Sequence, residues 1–190
     1  GLAFTKEGAH SRSRILFHKD ITGKEITKKL LAQVKKCSQI QLLEYTTMLD
    51  IITKDNSCYG TVVRKPDGEI AAIEAAYTVF ATGGIGGLYE HSTNFRHLTG
   101  DAVAAALRHK VAVQNMNYIQ IHPTTFYTPD KEERRFLISE SVRGEGALLY
   151  DKNMCRFVDE LLPRDALTAA ILAQMEKDDM PYVWEDLRTI

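Results

Sequence analysis

The sequence predicts an α/β chain, and three observations carry that expectation. Helix-type and strand-type hydrophobic periods alternate along its 190 residues. A hairpin with a mechanistically readable turn, Pro66-Asp67-Gly68, lies near the middle. An apolar run over 77–81 stops abruptly on Thr82-Gly83-Gly84-Ile85-Gly86-Gly87, where glycines let backbone approach a neighbour with no Cβ in the way. Hydrophobic residues make up 44% and charged residues 26%, enough to bury a core. The net charge of −1 gives no basic field for nucleic acid, and no apolar run approaches the length of a membrane span. Cys37, Cys58 and Cys155 are odd in number and far apart, which fits neither a metal knuckle nor a secreted disulfide framework. A reducing, cytoplasmic setting is the expectation. The chain starts at Gly1 rather than methionine and is read as an internal piece of a longer protein.

The elements follow in order. Gly1 to Lys19 has no period and is dense in polar groups around KEGAHSRSR, as a surface loop would be. Thr22 and Glu25 fit a capping box, and Ile26, Leu30 and Val34 follow at helical spacing, so a helix should run to about Cys37. Short strands are expected over 40–43 and 48–53. The hairpin then occupies 57–75, and a β-branched and aromatic run covers 77–81. The glycine stretch is not GxGxxG, because its spacing differs. A turn and a ligand-approach loop both remain open for it. Asp101 opens an alanine-rich helix to His109; capping is the commoner use of such an acid, and accepting hydrogen bonds from a ligand's hydroxyls is the other. Strands are expected over 111–113, 118–122 and 136–138, with a charged loop over 128–135 between the last two. Gly144-Glu145-Gly146 breaks the chain before a run at 147–150, and 151–153 is a turn. Pro163 starts the last helix, Arg164 to Lys177, with Leu167, Ile171 and Met175 on one face.

The chemistry concentrates between Ile119 and Arg164: IQIHPTTF, then SESVRGEGALLYDKN, then LLPRD. One histidine, two arginines beside acids and closely spaced hydroxyls suit a small anionic substrate that needs cationic anchors and a positioned proton carrier. Arg164 is an odd choice at a helix start, where a cation opposes the dipole. His122 alone reads as a satisfied strand histidine, and Glu140 with Arg143 alone as an exposed ion pair.

Taken together, ATGGIGG, TGDA, QIHPT, SESVRGEGA and LPRDAL resemble the flavoprotein subunit family of succinate dehydrogenase and fumarate reductase, and KEGAHSRSRILFHKDITGKE is most similar to its soluble L-aspartate-oxidising branch. The likeness covers essentially the whole chain in family order. It implies part of an FAD-binding two-dinucleotide-type domain with an inserted β-meander over 1–124, and the start of an α+β capping domain over 125–190. It implies FAD as cofactor and oxidation of L-aspartate to iminoaspartate in de novo NAD biosynthesis. Oxygen or fumarate would reoxidise the flavin, and quinolinate synthase would be the downstream enzyme.

Residue by residue, the resemblance places Glu7 near the substrate amino group, and His122 and Ser139 at a substrate carboxylate. It gives Arg164 proton exchange at the substrate, with Glu140 and Arg143 as a relay pair. Thr47 and Met48 fall at the adenosine end, Ala81, Thr82, Gly83 and Gly84 in the loop under the cofactor, and Asp101 on the flavin side. Glu7 favours an amino diacid, because a carboxylate suits an ammonium. The pattern is departed from at TGDA, at Asn117 and in the short segment between Phe157 and Pro163. The N-terminal GxGxxG unit and the later histidine and arginine of the family's carboxylate site are not among these residues. The isolated chain is therefore expected to bind no FAD and to turn nothing over. A succinate- or fumarate-specific relative and a catalytically inert isolated domain are the rival readings.

Overall fold

The computed structural model describes residues 3–8, 10–19, 21–130, 134–188 and 190. The centre of the expected charged loop, at 131–133, lies outside them. Two compact units are present: residues 1–33 with 119–190, and residues 34–118.

In the second unit, β3 (Thr47–Lys54), β4 (Ser57–Arg64) and β5 (Ile70–Glu74) form an antiparallel meander in sequential order. The expected Pro66–Gly68 turn joins its last two strands: Gly68 N–H donates to Lys65 O at 3.0 Å, and Lys65 N–H to Glu69 O at 2.8 Å. Gly60, at φ +141°, sits where the β3–β4 register shifts, and a Cβ there would lie 2.0 Å from Ile73 O. A side chain is excluded at that bulge. α2 (Asp101–Arg108) buries Ala102, Ala105 and Ala106 and packs against β3. Its C-terminal Arg108 and His109 reach Asp50 at 3.3 and 3.1 Å, while His109 Nδ1 is 2.7 Å from Thr53 Oγ1.

In the first unit, β1 (Phe4–Thr5) pairs with β2 (Ile15–Leu16); the helix α1 (Thr22–Val34) follows and stops three residues short of Cys37. The expected capping box is not made as drawn. Thr22 Oγ1 accepts from His18 N–H at 2.9 Å, and Glu25 N–H donates to Ile21 O at 3.0 Å. A short helix α3 (Glu140–Gly144) leads into β6 (Leu148–Tyr150), which pairs with β7 (Trp184–Asp186). α4 (Arg164–Asp178) closes the core, in which Leu149, Leu167 and Ile171 are buried with Phe157, Val158, Leu162, Met175 and Val183 around them. Asp179 ends α4 in the left-handed region, at φ 52°.

Several expected strands are not strands. Residues 40–43, 77–81, 111–113 and 118–122 are irregular, and 136–138 contributes a single bridge, Thr125 to Leu137. These runs carry β-forming side chains, yet a strand needs a ladder partner, and beyond that single bridge none pairs with them among the described residues. Their apolar groups stand in solvent: Tyr77 is 90% and Val79 85% exposed. Among the described residues no helix is long and apolar enough to cross a membrane.

Candidate functional site

Five of the six residues expected at the substrate are brought together around α3, in one unit. Phe126 N–H donates to Phe136 O at 2.9 Å, and Thr124 Oγ1–H to Ile138 O at 3.2 Å. These bonds lay the His-Pro-Thr segment beside Ser139, the extended residue that opens α3. α3 then buries Glu140 and Arg143. From the start of α4, Arg164 donates through Nε at 2.8 Å and pairs through Nη2 at 2.6 Å with the same Glu140 oxygen, Oε2. Its Nη1 donates to Gln120 Oε1 at 3.1 Å. The cation at a helix start therefore has a buried counter-charge.

The sixth residue, Glu7, is half-buried on a strap that packs over α3. A Cβ on Gly8 would lie 2.7 Å from Glu140 Oε1, and one on Gly144 would lie 2.9 Å from Lys6 O. Two glycines, one on each side, let this strap and α3 come that close. Lys6-Glu7-Gly8 thus borders the acid that holds Arg164, 24 residues before it in the chain.

Burial pushes the His122 ring below its ordinary value, and the nearby Arg164 and Arg143 push the same way, against the bond that Nδ1–H can donate to Thr124 O and the charge of Glu140. The ring is therefore neutral near neutral pH. Thr124 N–H lies 3.2 Å from His122 Nδ1, and Thr124 O lies 2.9 Å from it. The two contacts select different tautomers: a proton on Nδ1 donates to Thr124 O and leaves Nε2 of the neutral ring an acceptor, whereas Nδ1 accepting from the Thr124 N–H puts the proton on Nε2, which then donates to a carboxylate. Ser139 Oγ accepts from Ser141 Oγ–H at 2.9 Å.

Arg143 is 2% exposed. Its Nη1 donates to Glu160 O at 3.0 Å, while Nε and Nη2 have no hydrogen-bond partner among the described residues. Burial lowers its affinity for its proton, against the attraction of Glu140 and Glu185. The expected relay pair is not directly bonded: Glu140 bonds Arg164, and Arg143 couples to Glu140 through its charge.

Four contributors escaped the sequence reading. Gln120 and Gly8 lie inside quoted motifs, where an amide next to HPT and a glycine after the acid were visible but unweighted. Glu160 accepts from Leu149 N–H at 2.9 Å and from Arg156 at 2.7 Å. Glu185 buries both carboxyl oxygens with no hydrogen-bond partner among the described residues. Nothing in the local pattern distinguishes these last two from surface acids.

All seven residues expected at the cofactor fall in the other unit. Thr47 and Met48 open β3, opposite Arg64 and Val63. The glycine stretch divides in two. Gly86 and Gly87 are fixed by the protein itself: a Cβ would lie 2.4 Å from Asn94 Nδ2 and 2.6 Å from Arg96 O. Ala81, Thr82, Gly83 and Gly84 are exposed, and a Cβ on Gly84 would meet nothing within 4 Å. That open backbone fits close approach by a ligand. Asp101 accepts from Thr99 Oγ1–H at 2.8 Å, and Gly100, at φ 75°, is the residue that caps α2. The exposed Asp101 carboxylate keeps acceptor capacity for ligand hydroxyls. The residues present are compatible with FAD.

A model of the FAD-binding domain family matches residues 1–189. The chain belongs to this family. FAD is the cofactor of this domain. An L-aspartate oxidase from Clostridium perfringens (strain 13 / Type A) is 48% identical over 98% of this chain and 42% of its own length. One from Clostridium acetobutylicum is 46% identical over 100% of the chain and 43% of its own length. A chloroplastic L-aspartate oxidase 2-b of Nicotiana tabacum is 34% identical over 98% of the chain. The chain thus spans about two-fifths of the length of the clostridial relatives. A solved quinol-fumarate reductase matches with a TM-score of 0.89 at 29% identity, over 99% of this chain and 36% of that one. The fold is that of the FAD-binding domain of the succinate dehydrogenase and fumarate reductase flavoproteins.

Proposed function

We propose that this chain serves an FAD-dependent oxidase that converts L-aspartate to iminoaspartate, the first step of de novo NAD biosynthesis. Oxygen or fumarate is the electron acceptor, and quinolinate synthase consumes the product. In this reading residues 1–124 belong to a flavin domain with an inserted meander, and 125–190 begin the capping domain. The observation that carries the reading is the pairing of half-buried Arg164 with buried Glu140 beside the Lys6-Glu7-Gly8 strap.

His122 through Nε2 and Ser139 through its hydroxyl hold a substrate carboxylate. Glu7 receives the substrate ammonium, which a carboxylate attracts and which succinate lacks. FAD, when bound, supplies the two-electron acceptor for the Cα hydride. The proton released at the substrate is exchanged by Arg164, which Glu140 orients through two bonds, and Arg143 links that pair onward by charge. Thr47, Met48, Ala81, Thr82, Gly83, Gly84 and Asp101 hold the cofactor.

The likeness to quinol-fumarate reductase favours a second reading, in which succinate or fumarate is the substrate. Flavin reduction by L-aspartate and by succinate in the full-length protein separates the two; faster reduction by succinate would sink the first. The proton role is tested by Arg164→Met in the same protein. Turnover should fall by roughly 10²–10⁴-fold with FAD retained. Unchanged turnover would remove Arg164 from the mechanism.

A further inference from the structure

α2 is a short helix with a weak apolar grip. It spans eight residues, and the side chains it buries are those of Ala102, Ala105 and Ala106. Single methyl groups bury little area, so packing alone does little to fix the tilt of the helix or its slide along β3. Asp101 opens α2 and Arg108 closes it, roughly 10 Å further along the axis. A small rotation at the far end therefore displaces Asp101.

The far end is held by polar bonds, and the strand is shaped to receive them. β3 pairs with β4 through two register shifts, one between Met48 and Asp50 and one between Ile52 and Thr53. Leu49, at the first shift, has no partner across the ladder among the described residues, and its carbonyl oxygen accepts from Arg108 Nη2 at 3.3 Å. Asp50 Oδ1 accepts from Ile51 N–H at 3.0 Å, from Arg108 Nη2 at 3.3 Å and from His109 Nε2 at 3.1 Å. A carboxylate only accepts, so Nε2 carries the proton of a neutral ring, and Nδ1 accepts from the Thr53 hydroxyl at 2.7 Å. Residues three apart on a regular strand point to opposite faces. Asp50 and Thr53 nevertheless meet one imidazole, because the second register shift falls between them.

The two elements joined in this way carry the two ends of the cofactor site. Thr47 and Met48 open β3 immediately before the first shift, and Asp101 opens α2. At that near end Gly100, at φ 75°, admits Ile85 of the glycine stretch: a Cβ there would lie 2.6 Å from Ile85 Cγ2. The helix is thus seated against the glycine stretch at one end and tied to β3 at the other. We propose that Asp50, Thr53, Arg108 and His109 form a clasp that sets the spacing between Thr47-Met48 and Asp101, and so are positioning residues for FAD. The inference rests on the cofactor placement given above. A dinucleotide that touches both elements binds more tightly when they are held in register beforehand, whereas a ligand that touches β3 alone gains nothing from the clasp.

The test uses the full-length protein freed of flavin and titrated with FAD and, separately, with ADP. His109→Ala should raise the Kd for FAD roughly tenfold and leave the Kd for ADP unchanged. Asp50→Asn and Thr53→Val should each produce part of this effect. His109→Gln keeps a donor near the Nε2 position and should recover part of the loss. At saturating FAD, kcat and KM for L-aspartate should match the wild type. Equal weakening of FAD and ADP in His109→Ala would show general loosening of the unit and overturns the proposal. Unchanged FAD affinity in His109→Ala, beside an Asp101→Ala variant that has lost affinity, overturns the clasp and leaves the cofactor placement standing. Unchanged affinity in both variants overturns both. If His109→Ala does not fold, Thr53→Val decides, because that side chain is exposed. A raised Kd for FAD with ADP unaffected then supports the clasp, and wild-type affinity for FAD overturns it.

Discussion

Replacing Gly8 by alanine should disable the site without touching any charged group. The added Cβ would sit 2.7 Å from Glu140 Oε1, about 0.7 Å inside the distance at which ordinary contact begins. The other nearest atoms, the carbonyl oxygens of Leu161 and Leu162 at 3.6 Å, leave the strap little room to retreat. Glu140 is the softer partner, yet it is 7% exposed and held by two bonds from Arg164. Overpacking of this kind costs about 1–3 kcal/mol. A displaced charge-assisted bond adds about 1.5–3 kcal/mol when it is lost outright. A relay misaligned by a large fraction of an ångström should lower kcat by roughly 10–10²-fold. The assay is steady-state oxidation of L-aspartate by the full-length protein, with flavin content measured alongside. Gly8→Ala with wild-type kcat and full flavin would show that the strap does not bear on Glu140, and the site as drawn would be wrong.

Two further outcomes concern stability and pH. Glu160→Ala orphans the buried Leu149 N–H and should destabilise the protein by about 1–3 kcal/mol, whereas Glu160→Gln keeps an oxygen for that bond and should cost about 1 kcal/mol. Urea unfolding followed by the single tryptophan, Trp184 beside Tyr150, reads both. Burial raises Glu160, but the bonds from Arg156 and Leu149 outweigh it and hold the carboxyl below 4.5. The stability it contributes is present above that value and lost as pH falls through the folded one; Glu160→Gln should lack this loss. His122 is depressed below 6.5, chiefly by burial. The unfolded chain then binds the proton more readily, so stability should fall as pH drops below about 6.5, and His122→Asn should flatten that segment of the curve.

What was legible in the sequence depended on whether the signal was local. The hairpin at 57–75 and the helices from Asp101 and Arg164 were readable because turn chemistry and i, i+4 spacing are written within a dozen residues. Strands at 77–81 and 118–122 were overread because apolar β-formers report a tendency to be buried, while a ladder needs a partner elsewhere. α3 went unseen: five residues, Glu-Ser-Val-Arg-Gly, carry too little period to mark a helix. Its formation depends on the tertiary setting that buries Glu140 and Arg143. The same limit hid Glu160 and Glu185, whose significance lies in what faces them.

The strangeness of Arg164 at a helix start was visible from the outset, and its structural resolution bears on why it is there. Glu140 neutralises it, but a buried ion pair is seldom the most stable way to fill such a space. Apolar side chains of similar volume are often as good or better by about 1–4 kcal/mol. Glu160 with Arg156 can be explained as architecture, since the carboxylate also caps the Leu149 N–H that β6 leaves exposed to the core. Among the described residues Glu140 serves no backbone group in this way, and its side chain bonds Arg164. Arg143 gives one bond to a carbonyl and leaves two donors unmet. A chain selected for stability alone would have little use for two buried charges, with a half-buried arginine beside them, so poorly employed by the backbone. Their arrangement makes sense if protons have to cross this part of the protein.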